Sequence, residues 1–348
     1  MAKKTVKVGV IGTGGIATVQ AKSLSKLEGV EIVAGCDIDP EHLKTFCDTY
    51  GVEKRFEDYN DLVRLPELDA VTVCTPNYVH KDPTIAALKA GKHTMVEKPM
   101  AMNAAEAQAM IDAETGSGKT LTMGFQFRLR PDAQALKRFA NDGRLGKVLF
   151  VRCQALRRRG IPSWGVFGQK HLQGGGPLID IGVHIIECAH FLMGEPRPVA
   201  ASAQTYTYLG NKNPVTDPPW GNWDWETYTV EDLAVGMIRF ENGAVMSIES
   251  SFVAHIKENV FTCQLMGEKG GCLLTPTELY TDDAGVMVDI EPSYVGKWDS
   301  MDRKISDWIG RVRGEVETQC PSNAGLMVQK ILDGLYASAE AGREVAID

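Results

Sequence analysis

The chain is predicted to fold as an α/β domain on a doubly wound parallel sheet, followed by an α+β domain with a large, mainly antiparallel open sheet. Three observations lead there. Short apolar runs alternate with helical patterns over residues 1–125, a glycine-rich turn follows the first of these runs, and beyond Phe125 long strand patterns succeed one another. Alternation of strand and helix is the mark of parallel βαβ units, and strand after strand with tight turns is the mark of an antiparallel sheet. The domains are therefore expected at 1–125 and 126–348, with a last helix at about 324–341 packing back on the first.

The elements follow in order. Thr5–Ile11 is a valine-rich strand, and after the glycine turn a helix runs from about Ile16 to Leu27. Glu31–Cys36 is the second strand, and Pro40–Tyr50 a helix with Asp39 as its cap and Pro40 in its first turn. Ala70–Cys74, Thr94–Val96 and Thr120–Gly124 read as buried strands, separated by helices at Asp82–Ala90 and Ala104–Glu114. In the second domain a helix at Pro131–Asn141 leads to a strand at Lys147–Leu156. A glycine-rich loop and a helix at about Leu178–Met193 come next. Strands are expected at Ala200–Tyr208, Val230–Phe240, Ala244–Val253 and Val260–Met266, with Asn242-Gly243 as a tight hairpin turn.

Composition excludes several function classes. The 348 residues are 44% hydrophobic and 24% charged, the balance of a folded globular chain. The net charge of −8 and the lack of a basic face argue against a nucleic-acid partner. The short cluster Arg157-Arg158-Arg159 reads as a solvated or interface loop. The cysteines at 36, 47, 74, 153, 188, 263, 272 and 320 are scattered and form no Cys-x-x-Cys pair, so they read as reduced core thiols. With the seven histidines they show no zinc-ligand spacing, and no bound metal is expected. No apolar run approaches the roughly 20 residues that cross a bilayer, and the chain enters a strand at once without a signal peptide. A cytoplasmic protein without membrane partners is expected.

Four segments carry chemistry. Gly12-Thr13-Gly14-Gly15-Ile16-Ala17 fits G-x-G-x-x-A between a strand and a helix. Gly12 allows the tight turn, Gly14 lets the backbone approach a pyrophosphate, and the helix start at Gly15 and Ile16 attracts its charge. Asp37, 20 residues after Ala17, ends the second strand, where a carboxylate binds both ribose hydroxyls of NAD and repels the 2′-phosphate of NADP. By contrast Ala113–Thr120 nearly matches a phosphate loop but follows a helix and precedes a strand, so it reads as a helix-ending turn. Lys98, in Glu97-Lys98-Pro99, stands just past a strand end, where an ammonium could steady a developing alkoxide. A surface lysine beside a turn proline has the same signature. Asp180 and His184, after Gly174-Gly175-Gly176, share one face of an otherwise apolar helix. An imidazole oriented by a carboxylate is a general base, and burying both without a task is costly, though a structural pair remains the alternative.

These residues, with Cys74-Thr75-Pro76-Asn77, resemble the Gfo/Idh/MocA family along nearly the whole chain. The resemblance implies a Rossmann domain and a second-domain sheet that mediates homodimers or homotetramers, while Asp37 makes NAD rather than NADP the expected cofactor. It implies that Lys98 contacts the reactive hydroxyl and that His184 is the acid/base with Asp180 beside it. It also implies that Thr75, Pro76 and Asn77 line the nicotinamide ribose, that His80 and Glu97 lie near the cofactor, and that Arg128 reaches the substrate. The segment Arg159–Gly165, which includes Trp164, looks like the levoglucosan and glycoside 3-dehydrogenase branch.

The expected function is hydride transfer between NAD and one hydroxyl of a sugar, glycoside or cyclic polyol. Trp164, Trp220, Trp223 and Trp225 lie in loops beside the second sheet, where indoles stack on a sugar or fill oligomer contacts. A glycosidase that oxidises the ring transiently would carry the same residues. A non-catalytic NAD sensor would have no use for Lys98, Asp180 and His184.

Overall fold

The computed structural model describes residues 5–348. Its first elements are β1 (Val6–Ile11), α1 (Gly15–Leu24), β2 (Val30–Cys36), α2 (Pro40–Tyr50), β3 (Lys54–Phe56) and α3 (Tyr59–Val63). Next come β4 (Ala70–Val73), α4 (Lys81–Lys89), β5 (His93–Val96), α5 (Ala104–Ser117) and β6 (Leu121–Met123). Then follow α6 (Pro131–Asn141), β7 (Val148–Leu156), α7 (Lys170–Gln173), α8 (Val183–Leu192) and β8 (Pro198–Tyr206). The rest are β9 (Leu233–Phe240), β10 (Val245–Ser251), β11 (Val260–Gly267), β12 (Gly270–Leu273), β13 (Glu278–Asp283), β14 (Val286–Ile290), α9 (Ser300–Val312), α10 (Ser322–Ala341) and β15 (Val345–Ala346).

The chain forms two compact units, 1–129 with 298–326 and 130–297 with 327–348. A single cut near 125 does not describe this division. The reason is α9, absent from the sequence reading, whose Ile305, Trp308 and Ile309 join Val6, Val8, Leu24, Ala70 and Met95 in one buried cluster.

In the first unit six parallel strands take the order β3-β2-β1-β4-β5-β6. The order reverses between β1 and β4, which opens a crevice past Ile11 and Val73, the position at which open α/β sheets bind ligands. Local chemistry sets the helix ends. Asp39 accepts from the Glu41 and His42 amides at the head of α2, and Gly118 ends α5 in the left-handed conformation. That cap makes the Ala113–Thr120 segment a helix-ending turn, as expected.

In the second unit nine strands take the order β14-β13-β12-β11-β7-β10-β9-β8-β15. The sheet is mainly antiparallel, but β7 and β10 pair in parallel. The 241–244 turn joins β9 to β10 as a hairpin, as Asn242-Gly243 predicts. β12, β13 and β14 extend the sheet beyond the strands read from sequence. α8 lies against β7 and β11, while Ser338 of α10 accepts the Ala203 amide of β8. All eight cysteines are free and buried. Scattered in sequence, Cys188 of α8 and Cys153, Cys263 and Cys272 of the sheet converge, with Cys153 directly opposite Cys263 across two strands.

Candidate active site

In the first unit the glycine turn is shaped by what lies across it. A Cβ on Gly12 would stand 2.7–2.8 Å from the Cys74 carbonyl and the Thr75 nitrogen at the end of β4, and its φ is +82°. Only glycine fits so close an approach. Over Gly14 and Gly15, by contrast, a Cβ would meet nothing within 4 Å. Gly14 heads α1 without a side-chain cap, and the first turn carries no acidic residue. Open space over uncapped amides at a helix start suits an anionic group.

Asp37 closes this turn from the side. Its Oδ2 accepts from the Thr13 amide at 2.7 Å and the Thr13 hydroxyl at 3.0 Å, and its Oδ1 accepts from the Asp39 amide. The carboxylate thus fixes the glycine turn at the end of β2. Ile38, 86% exposed, follows it, where an NADP site would want a cation.

Past β4, the Thr75 hydroxyl oxygen is buried with no hydrogen-bond partner among the described residues. Such an orphan in the crevice is what a bound ribose or amide would satisfy. Pro76 caps the short 77–79 turn, in which Asn77 is buried. His80 is fully buried and its ring bridges two backbone carbonyls, Pro99 at 2.7 Å and Thr75 at 2.9 Å. Burial pushes its pKa down against the upward pull of both carbonyls and of Glu97. The ring therefore ties the 75–77 segment to the turn after β5.

Glu97 also faces inward. Its Oε1 accepts from Gln20 at 2.6 Å and from Lys304 of α9 at 2.5 Å, and Gln20 in turn accepts from the Thr72 hydroxyl. Burial alone would push this carboxyl up, but the Lys304 charge and the two hydrogen bonds hold it below the usual range. Lys98, the next residue, is half-buried. Arg128 is 1% exposed and donates to the Gln319 carbonyl at 2.7 Å, anchoring the segment between α9 and α10.

In the second unit the triple glycine is dictated by packing. A Cβ on Gly175 would lie 2.0 Å from the Tyr336 hydroxyl, and one on Gly176 2.0 Å from the Glu231 carbonyl. The buried Glu231 carboxylate accepts from the Gly176 amide at 2.9 Å, the Leu178 amide at 3.2 Å and the Tyr336 hydroxyl at 2.8 Å. It caps the helix that follows, and burial raises its pKa despite these bonds. The first turn of that helix, Leu178–Gly182, is a π turn rather than the α turn expected. Ser250 donates to the Pro177 carbonyl at 2.8 Å, engaging an oxygen at the head of the turn. A π turn keeps residues i and i+4 nearly in register, so Asp180 and His184 still share a face. From Gly175 to His190 every residue is buried except His184, which is half-buried. The expected base is thus the one side chain of this stretch with access to solvent; on the same helix only Phe191, near its far end, is also half-buried. His190 bonds the Pro196 carbonyl and stacks on Phe240, a structural role.

Arg157, at the end of β7, lies over the rings of Trp220 at 4.3 Å and Phe252 at 5.2 Å, and the Asp180 charge acts on it. Trp220 stacks on Trp164, which is 56% exposed. Trp223 instead is buried and donates to the Gly210 carbonyl at 2.7 Å. Gln20, Lys304, Glu231 and Tyr336 were not singled out from sequence, and Arg157, expected in a solvated or interface loop, is instead half-buried against Trp220 and Phe252. Only Glu231 carried a signal, as one of two acids opening an apolar strand pattern.

The two units match the family models for the oxidoreductase family with an NAD-binding Rossmann fold, over residues 6–125, and for the GFO/IDH/MocA C-terminal domain, over residues 133–272. The chain is 34% identical over 349 aligned residues to the D-glucoside 3-dehydrogenase of Escherichia coli, covering 100% of this chain and 99% of that protein. It is 30% identical to the levoglucosan dehydrogenase of Pseudarthrobacter phenanthrenivorans over 67% of this chain and 62% of that one. Among solved structures, a levoglucosan dehydrogenase in complex with NADH shares the fold at a TM-score of 0.85 and 23% identity, covering 99% of this chain and 100% of that one. The open glycine turn, the placement of Asp37 and the orphaned Thr75 hydroxyl fit the cofactor of that fold, and the chain belongs to the Gfo/Idh/MocA family of NAD-binding oxidoreductases.

Proposed function

We propose that the protein transfers a hydride between NAD and a secondary hydroxyl of a sugar ring, with glucosides as the substrate class. The observation that carries this reading is His184, half-buried where Gly175 to His190 are otherwise buried, one turn after Asp180. Full-length similarity to a protein named D-glucoside 3-dehydrogenase supports the choice of sugar. When bound, NAD supplies the hydride acceptor at its nicotinamide ring. His184 takes the hydroxyl proton as the carbinol C–H bond breaks and the C=O bond forms, Asp180 orients the imidazole, and the Lys98 ammonium steadies the oxygen. The Glu97 network and the His80 bridge hold the segments on either side of Lys98.

The Asp37 carboxylate supports NAD over NADP. Exposed Tyr206, Val235, Met237 and Met266 on the second unit's sheet support self-association through that face into a dimer or tetramer. Among the described residues no helix is long and apolar enough to cross a membrane. The deciding experiment is NADH formation across glucosides, anhydrosugars, free hexoses and inositols, with product analysis. Absence of NADH from every sugar sinks the reading, and aglycone release without net NADH marks transient ring oxidation instead.

A further inference from the structure

Phe252, Arg157, Trp220 and Trp164 stand in file in the second unit. The guanidinium is held between the first and third members, Trp220 stacks on Trp164 with centroids 5.7 Å apart, and Phe167 meets Trp164 edge-on at 6.4 Å. The inner end begins beside the helix that carries Asp180 and His184. The Arg157 amide donates to the Ser251 carbonyl, and the adjacent Ser250 holds the Pro177 carbonyl at that helix's head.

The outer end is open but fixed. Trp164 is 56% exposed and Trp220 37%. Arg157 donates to the Gly160 carbonyl at 2.9 Å, and Ser163 donates to the Trp220 carbonyl at 2.5 Å, so both loops are tied down. A desolvated cation stacked on an indole rigidifies the file further. Large rings kept rigid and outward present an apolar face ready for a flat partner. The loop that bears Trp220 also lines a cavity of about 670 Å³ with Asn213, Asp217, Asn222 and Trp225. Amides and a carboxylate beside an indole are the groups that read hydroxyls around one apolar C–H face.

We infer that this file is the wall of a second-ring subsite, so that the substrates are glycosides whose substituent stacks on Trp164 while the oxidised ring reaches Asp180 and His184. Free monosaccharides and cyclitols lack the part that the wall holds. The inference rests on the reading of the protein as a sugar dehydrogenase and adds to it the need for a substituent.

The test compares kcat/KM, at saturating NAD, for glucose, methyl β-glucoside, phenyl β-glucoside and cellobiose. The full-length protein should favour the last two over glucose by about tenfold or more, the size of one good contact. Trp164→Ala should erase most of that advantage through KM rather than kcat, while Trp220→Phe, which keeps a ring in the file, should retain it. Equal efficiency for glucose and phenyl glucoside overturns the subsite and leaves the dehydrogenase standing. So does an advantage that survives in Trp164→Ala, including a case where that variant changes only the oligomeric mass. If no sugar yields NADH but phenyl glucoside quenches tryptophan fluorescence in the wild type and not in Trp164→Ala, the subsite holds and the dehydrogenase reading falls. Neither NADH nor quenching overturns both.

Discussion

Lys304 donates to the Glu97 carboxylate at 2.5 Å, and the two side chains are 0% and 6% exposed. One comes from α9 and the other immediately precedes Lys98, 207 residues apart in sequence. Removing one partner strands the other as an uncompensated buried charge, so Lys304→Met should cost about 3–5 kcal/mol in urea unfolding. Lys304→Met with Glu97→Leu should recover part of that loss. The pair also has a defined pH dependence. The folded Glu97 pKa lies below its ordinary 4.5, so its contribution is fully present above about that pH and is lost as pH falls through the folded value. A Lys304→Met protein as stable as the wild type would refute this.

His184→Ala should lower kcat by about 10²–10⁴-fold, the range of a general-base contribution, with little change in NAD affinity. Lys98→Ala should give a loss of similar order, and on the proposed mechanism the two losses should not multiply in the double variant. NAD titration by fluorescence and kcat on the best glucoside measure both effects. A folded His184→Ala enzyme with near-normal kcat would reduce the Asp180–His184 pair to a structural one.

Asp37 fixes the Thr13 turn and is proposed to select the cofactor, so Asp37→Ser should do two things at once. The NAD affinity should fall because the turn loses two hydrogen bonds. The preference for NAD over NADP should also shrink, because the charge opposing the 2′-phosphate is gone. Steady-state kinetics with both cofactors separate the effects, and a wild type that uses NADP as well as NAD contradicts the assignment.

The glycines of the two turns should respond in opposite ways. Gly14→Ala adds a methyl to open space and should cost the fold about 1 kcal/mol or less, yet weaken NAD binding by crowding the pyrophosphate. Gly175→Ala places its methyl on the Tyr336 hydroxyl and should cost about 1–3 kcal/mol. Tyr336→Phe in that background should destabilise less than the sum of the single changes, since it removes the clashing oxygen. Thermal unfolding with and without NAD measures all four proteins, and an unchanged melting temperature in Gly175→Ala sinks the packing argument.

What could be read from sequence was local. Gly12 to Ala17 with Asp37, the Asp39 cap and the Asn242-Gly243 turn each declare themselves within a few residues or one βαβ unit. The Lys304–Glu97 pair does not, because nothing near Lys304 says that α9 returns to the first unit. Nor does the π turn at Leu178–Gly182, whose head is held by Ser250, 73 residues from the Pro177 oxygen that it binds. Trp220 and Trp223 looked equivalent in sequence, and only three-dimensional packing separates the buried Trp223 from the Trp220 that stacks on Trp164. The cysteines looked unrelated for the same reason: strand register, not spacing, puts Cys153 opposite Cys263.

The return of residues 298–326 to the first unit has a consequence for synthesis. As the ribosome releases the chain, β1 to β6 emerge early, but the Glu97 carboxylate then has no Lys304 and the face under Met95 has no Trp308. The cofactor-binding half begins first and is completed only after β7 to β14 of the second sheet have been made. A fragment ending at residue 129 should therefore remain loosely packed and chaperone-dependent, so this half cannot be harvested as a free-standing module by cutting the gene once.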